Sequence, residues 1–157
     1  MNDKRKYLFW LIPAALVLLA VLFFLYPRRV DVILHMPASA ADIRDVNFQR
    51  IEPVHETLEY VCQNYTLTAE REPELLQEIC DWLYAARLNR PMPGGGVLHD
   101  PGVMYTLYAR SSDSSVTAAI QILEDGRAVV NSVLYRLRQQ DMAALNAIYQ
   151  HLNTIYD

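Results

Sequence analysis

Lysine is missing from most of this sequence. The 157-residue chain has only Lys4 and Lys6, both before an apolar run at residues 7–26. From Val30 to the C-terminus, nine arginines stand against seventeen Asp and Glu residues, a net charge of −8. A field of that sign repels DNA and RNA. The composition therefore excludes nucleic acid as a partner of the region after residue 30.

Cysteine is also scarce, since Cys62 and Cys80 are the only two in the chain. A pair of cysteines at this spacing matches no zinc-binding pattern. In an oxidising compartment the two could form a disulfide. The alternative is that both are small buried hydrophobic residues, as free cysteines often are. Spacing alone does not decide between these, because a disulfide requires the two Cα atoms to come within bonding range.

Catalytic and cofactor-binding motifs are absent from the sequence. No two of the four histidines share a short metal-binding spacing, and no G-x-S-x-G elbow occurs. A glycine run at 94–96 is followed by a strand pattern, whereas a phosphate-binding loop needs a helix and usually a lysine. We therefore predict no catalytic residue, no cofactor, no metal site and no enzymatic activity.

Charged residues are absent from residues 7–26. Twenty residues of helix at 1.5 Å each span about 30 Å, the thickness of the hydrocarbon core of a bilayer. Tyr7, Trp10 and Tyr26 are placed like aromatic residues at a membrane interface. The run predicts a single transmembrane helix, with the membrane as a partner of the protein.

The alternative is a cleaved signal peptide, for which Ala38-Ser39-Ala40 has the small-x-small pattern. That pattern lies too far beyond the run for a usual cleavage site, so we predict an uncleaved signal anchor. Three basic residues precede the run and two arginines follow it, which favours a cytoplasmic N-terminus. The predicted organisation is a cytoplasmic tail at 1–6, the transmembrane helix at 7–26 and an extracytoplasmic domain at 30–157.

Six strands are predicted after residue 30 from alternating apolar residues and from Val, Thr and Tyr content. They lie at about 30–35, 46–51, 56–63, 104–110, 116–123 and 127–134. The last three form a predicted antiparallel meander, in which Asp125-Gly126 indicates a type I′ hairpin turn.

Two amphipathic helices accompany these strands. The first is predicted at 72–88 with Pro73 in its first turn, and the second begins with Asp141 as its cap. On the second helix, the predicted buried stripe includes Leu145, Ile148, Leu152 and Ile155, opposite Asn146, Gln150 and Asn153. The predicted fold class is α+β: an N-terminal transmembrane helix followed by a mostly antiparallel sheet with two helices packed on one face.

Tyrosine is frequent after residue 30, and two tyrosines on one predicted strand are candidates for a partner surface. Tyr105 and Tyr108 fall on opposite faces of that strand, so one of them is expected to point outward. Exposed tyrosines often contribute to protein interfaces. The alternative is that they complete a small core with their hydroxyl groups at its edge.

The segment 65–89, the meander and the closing helix together resemble small domains of membrane-anchored proteins from Gram-positive bacteria. Those domains run from a strand to a helix after an acidic residue, then through a three-stranded meander to a short closing helix. The resemblance implies a cell-envelope setting and a non-enzymatic role. It implies no functional residue.

These observations favour a binding or sensing module of the cell envelope that contacts another envelope protein or a small ligand. One alternative is a structural accessory subunit that acts through its transmembrane helix. Another is an envelope hydrolase whose site is assembled from dispersed residues. The absence of a catalytic pattern favours the binding module over the hydrolase.

Overall fold

The computed structural model describes residues 3–54, 59–90, 102–112 and 116–156. These residues form an α+β fold built on one antiparallel sheet of eight strands. The Gly-rich segment at 91–101, the first part of the predicted strand at 56–63 and the serine turn at 113–115 lie outside the described residues.

The helices and strands follow one another along the chain and then assemble in a different order in space. They are α1 (Asp3–Leu25), β1 (Arg28–Arg29), α2 (Val30–Ile33), a 3-10 turn (Ala40–Asp42), β2 (Ile43–Pro53), β3 (Tyr60–Thr68), α3 (Pro73–Ala85), β4 (Arg87–Asn89), β5 (Met104–Ser111), β6 (Val116–Leu123), β7 (Arg127–Val130), β8 (Val133–Leu137) and α4 (Gln139–Tyr156). Across the sheet the order is β1-β4-β8-β7-β6-β5-β2-β3.

The hydrophobic core lies between one face of the sheet and the helices α3 and α4. Alternate residues of the strands point into it, among them Phe48, Leu107 and Ile120, which are nearly inaccessible to solvent. The two helices are joined at their ends by a buried hydrogen bond, in which the Trp82 indole Nε1 donates to the backbone oxygen of Asp141 at 2.8 Å. We call this side of the sheet the covered face.

The prediction of a transmembrane helix at 7–26 is wrong. Among the residues that the structure describes, no helix is both long enough and apolar enough to cross a membrane. The cytoplasmic location predicted for residues 1–6 and the extracytoplasmic location predicted for residues 30–157 both depend on that helix and stay predictions.

The strand predicted at 30–35 is also wrong, because the chain turns helical there as α2. Val30 and Leu34 are buried, whereas Val32 between them is 59% exposed. Burial at positions i and i+4 is typical of a helix. The alternation of apolar and polar residues over the same segment therefore does not indicate a strand here. The Val30 amide donates to the backbone oxygen of Ala86 at 2.9 Å, which ties the start of α2 to the end of α3.

The strand predicted at 127–134 is two strands, β7 and β8. They are joined at Asn131 and Ser132, which have positive φ angles of 49° and 63°. Positive φ at both central residues is what a type I′ turn requires. At the predicted type I′ turn, only Gly126 has a positive φ, of 84°, so the turn type predicted for Asp125-Gly126 is wrong. The type I′ turn of this segment is formed by the dipeptide Asn131-Ser132, which begins with Asn.

Helix boundaries also differ from the prediction. α3, predicted at 72–88, begins at Pro73 and ends at Ala85, because Ala86 has extended backbone angles and the next residues form β4. α4 begins at Gln139, so Asp141 lies in its first turn and does not cap it from outside. The Asp141 carboxylate instead accepts a hydrogen bond from the backbone amide of Arg87 at 2.9 Å, which fixes β4 against α4.

Candidate protein-binding edge of the sheet

The last strand of the sheet, β3, leaves one side unpaired among the described residues. It is nine residues long, pairs only with β2 and contains no charged residue. An edge strand presents a row of backbone N–H and C=O groups that can pair with another chain. Proteins usually protect such edges with charges, prolines or short length, and β3 has none of these. This edge is therefore the candidate functional site.

The register of β2 and β3 shows which backbone groups point outward. The Val54 amide donates to the backbone oxygen of Glu59 at 3.0 Å, so this opposite pair is hydrogen-bonded. In an antiparallel ladder such pairs alternate with pairs that share no hydrogen bond. Counting by two from Glu59, the odd-numbered residues of β3 bond to β2. The even-numbered residues, from Tyr60 to Thr68, direct their backbone groups away from the sheet.

The C-terminal end of this edge is closed by the chain itself. The backbone oxygen of Thr68 accepts hydrogen bonds from the amides of Arg71 at 3.3 Å and Glu72 at 3.0 Å. These bonds also confirm that the backbone of an even-numbered residue faces away from β2. The open part of the edge consequently comprises the backbone groups of Tyr60, Cys62, Asn64 and Thr66.

Hydrogen bonds from α4 hold β3 from the covered face. The Tyr149 hydroxyl donates to Gln63 Oε1 at 2.8 Å, and the Gln63 Nε2 donates to Asn153 Oδ1 at 3.3 Å. The Tyr65 hydroxyl also donates to Asn153 Oδ1, at 3.3 Å. The predicted solvent-facing role of Asn153 is wrong, because its side chain faces the sheet. These contacts fix the position of β3 relative to α4.

On the opposite face of the sheet, which we call the open face, amide side chains brace the same strand. Asn47 of β2 donates from Nδ2 to Asn64 Oδ1 at 2.7 Å and to Thr66 Oγ1 at 3.0 Å. Cross-strand pairs of this kind stabilise a sheet by about 0.2–1 kcal/mol each. The side chains next to the edge are therefore ordered, polar and uncharged.

Charges are present only beyond the two ends of β3. Glu59 precedes the strand, and Glu70, Arg71 and Glu72 follow it. Both ends are therefore net negative, in a region of the chain whose overall charge is already −8. A strand that docks here meets an uncharged middle with a negative field at each end.

Tyr105 and Tyr108, the predicted partner surface, lie on opposite faces of β5. Tyr105 is buried on the covered face, where its hydroxyl donates to Asn146 Oδ1 at 2.9 Å. Burial raises the pKa of the Tyr105 hydroxyl above its usual value. Tyr108 is half-buried on the open face, opposite Asn47 of β2. The two rings therefore do not share one surface, and Asn146 does not face solvent as predicted.

Cys62 and Cys80 are both free thiols in the structure. Cys62 is exposed on the open face of β3, whereas Cys80 is buried on α3 under the covered face. Burial raises the pKa of the Cys80 thiol to about 11. Cys80 is therefore a small buried hydrophobic residue, as the alternative predicted, whereas Cys62 is not. A disulfide between the two stays a prediction.

Side chains that could carry out chemistry are dispersed over the described part of the chain. No three His, Cys, Asp or Glu side chains of these segments are close enough together to hold a metal ion. His151 Nδ1 lies 3.0 Å from Glu78 Oε2 on the exposed surfaces of two helices. His55 and His99 lie outside the described residues.

The β3 edge was not predicted from the sequence, because the order of the strands was not predicted. The absence of charge from residues 60–68 was visible, but a central strand can be uncharged for a different reason. No family model, curated protein or solved structure matches this chain.

Proposed function

We propose that this chain is a protein-binding module that accepts an extended segment of another polypeptide as a ninth strand beside β3. The observation that supports the proposal is the row of four outward-facing residues in an uncharged edge strand that is braced from both faces. Strand addition uses main-chain hydrogen bonds for affinity and side-chain contacts for specificity. A braced edge loses little conformational entropy when a strand docks on it.

The expected affinity is modest. Each outward residue supplies one backbone donor and one acceptor, and a hydrogen bond contributes about 1 kcal/mol net. The cost of association, estimated at about 4 kcal/mol or more, offsets much of that gain. Selectivity must therefore come from side chains of the partner that contact Cys62, Asn64 and Thr66 on the open face.

Charge complementarity indicates the class of partner. The middle of the docking segment should be uncharged, because β3 offers no charged side chain to pair with it. Lysine or arginine should flank that segment, because Glu59 lies at one end of β3 and Glu70 and Glu72 lie at the other. A second copy of this chain, docked antiparallel, would bring negative ends together, so a foreign segment is the better fit.

Amide hydrogen exchange tests the proposal on the full-length chain. Without a partner, the amides of Tyr60, Cys62, Asn64 and Thr66 should exchange quickly, and those of the odd-numbered residues between them slowly. A synthetic peptide of alternating Thr and Val with lysines at both ends should protect the four fast amides. The same peptide with glutamates at its ends should protect them at least tenfold less at equal concentration.

A matched pair of variants identifies the edge as the contact. Asn64→Pro removes one outward N–H, whereas Asn64→Ala keeps it, and both lose the same side-chain bond to Asn47. Peptide binding should be lost in Asn64→Pro and kept in Asn64→Ala, with the folds of both intact. Equal binding by the two variants would show that the peptide docks elsewhere. Protection that rises with protein concentration alone would identify a second copy as the occupant and overturn a foreign partner.

A further inference from the structure

Two arginines lie directly opposite each other at the other edge of the sheet. β1 and β4 are antiparallel, and their register pairs Arg29 with Arg87. Directly opposed residues in such a pair point to the same face, with Cβ atoms about 5 Å apart, and like charges there are destabilising. Arg29 is bound to Asp31, with distances of 3.0 and 2.6 Å. Arg87 has no carboxylate partner among the ion pairs of the described residues.

A third arginine is held nearby by an aromatic ring. The Arg28 guanidinium carbon lies 4.5 Å from the centroid of the Phe23 ring of α1. A cation over an aromatic face is attracted to it without losing its charge. Arg28, like Arg87, has no carboxylate partner among the ion pairs of the described residues. Two unneutralised guanidinium groups therefore accompany the Arg29–Asp31 pair.

These three arginines line one cleft. Its volume is about 410 Å³, and its remaining walls are Tyr26, Pro27 and Val32. The cleft contains no carboxylate among its lining residues. Arg28 and Arg29 belong to residues 1–29, which carry five basic residues and one acidic residue, whereas Arg87 belongs to the acidic region after residue 30.

We infer that the Arg28–Arg29–Arg87 cleft binds a phosphate group. A guanidinium is always charged, and its planar fork matches phosphate oxygens in a bidentate geometry. A dianion beside Arg87 would neutralise a guanidinium that Asp31 leaves unpaired, because Asp31 already neutralises Arg29. The cleft volume accommodates a phosphate with its ester substituent against the apolar walls. Inorganic phosphate, a soluble phosphate ester and a lipid headgroup share this chemistry.

The test is a titration of the full-length chain, kept in nonionic detergent because α1 exposes apolar side chains. Inorganic phosphate is added at constant ionic strength, with chloride as the reference. The Nε–H signals of the cleft arginines are followed by NMR, and the thermal unfolding midpoint is measured. Phosphate should shift those signals saturably and raise the midpoint. In a parallel arm, phosphatidylglycerol is added to the detergent micelles.

Arg87→Gln should weaken phosphate binding at least tenfold. Arg71→Gln removes an exposed arginine between β3 and α3, at the opposite edge of the sheet from the cleft, and should change binding less than twofold. A response to inorganic phosphate identifies a free phosphate as the ligand source. A response to the lipid alone, still dependent on Arg87, identifies a lipid headgroup and also supports the phosphate site.

Two results would overturn the inference. One is the absence of any Arg87-dependent response in both arms. The other is an Arg87→Gln variant whose unfolding midpoint rises equally in chloride and in phosphate, which would mean that Arg87 only repels Arg29. The site does not depend on strand addition at β3, so each proposal can fail without the other.

Discussion

The covered and open faces of the sheet are built from the same strands but bury different chemistry. The covered face holds Phe48, Leu107 and Ile120 against two helices. The open face holds Asn47, Asn64 and an ion-paired carboxylate, Asp45. Alternate residues of one strand therefore serve two environments, because successive side chains point to opposite faces.

This contrast assigns stability and recognition to different faces of the sheet. Removing apolar area from water contributes roughly 25 cal/mol per Å², so the covered face supplies most of the stability. Hydrogen bonds between polar groups contribute less net free energy because water competes for the same groups. The open face can therefore carry polar side chains beside the β3 edge without weakening the core. Three predictions test this division.

The greatest loss of stability is expected on the covered face. Leu152 of α4 is completely buried, and Leu152→Ala should lower the free energy of unfolding by about 2–5 kcal/mol because it leaves a cavity. Gln150→Ala, on the exposed side of the same turn, should change it by less than about 0.5 kcal/mol. Urea denaturation of the two variants measures both. Equal midpoints would show that α4 does not pack on the sheet.

The buried stripe predicted for α4 from helical spacing does not extend to Ile155. Ile155 was expected in the buried stripe, but it is 52% exposed. Ile155→Ala should consequently cost well under about 1 kcal/mol, in contrast with Leu152→Ala.

A smaller effect is expected for the buried carboxylate of the open face. Asp45 is 3% exposed and accepts hydrogen bonds from the Nε atoms of Arg44 at 2.8 Å and Arg110 at 2.6 Å. Asp45→Asn removes the charge and places a donor against donors, which should cost about 1–3 kcal/mol in urea. The cost stays in this range because both arginines are partly exposed and regain water.

The control for Asp45 is Glu52, whose carboxylate is 47% exposed and lies 2.5 Å from Arg50. Glu52→Gln should cost less than about 1 kcal/mol, since an exposed ion pair is screened by solvent. If the two substitutions cost the same, burial does not distinguish the two ion pairs, and the open face would contribute no more than an ordinary protein surface.

The third prediction compares the two cysteines at high pH. The folded pKa of Cys80, about 11, lies above the usual value of 9.0, so the folded state keeps its proton longer than the unfolded state. Its contribution to stability is present below pH 9 and is lost as pH rises toward 11. Between pH 8 and pH 10 this loss is on the order of 1 kcal/mol.

Comparison with variants isolates the Cys80 contribution from the tyrosines, whose ionisation also lowers stability at high pH. Cys80→Ala should lose less stability than the wild type between pH 8 and pH 10, by an amount on the order of 1 kcal/mol. Cys62→Ala is the matched control, because it removes a thiol that is exposed. A thiol reagent should modify Cys62 in the folded protein and Cys80 only after unfolding. Parallel pH profiles for wild type and Cys80→Ala would contradict the assignment.

Features that depend on near neighbours in the chain could be predicted from the sequence. Helical spacing placed Leu145, Ile148 and Leu152 on one face of α4, and all three are buried. Pro73 marked the start of α3 because its fixed φ and missing N–H suit a first helical turn. The lack of charge in residues 60–68 and the acidic residues around them are likewise properties of the chain alone.

Features that depend on distant parts of the chain emerge only in the folded protein. Only the strand order makes β3 an edge, and only the pairing of β1 with β4 places Arg29 opposite Arg87 across a sequence separation of 58 residues. Asn153 is polar, yet it faces the sheet because Gln63 and Tyr65 supply donors there. The sequence pattern around a residue indicates only whether its side chain prefers water or the core. The partners of that side chain depend on which strands are neighbours in the sheet. The order of the strands is in turn determined by how the whole core packs.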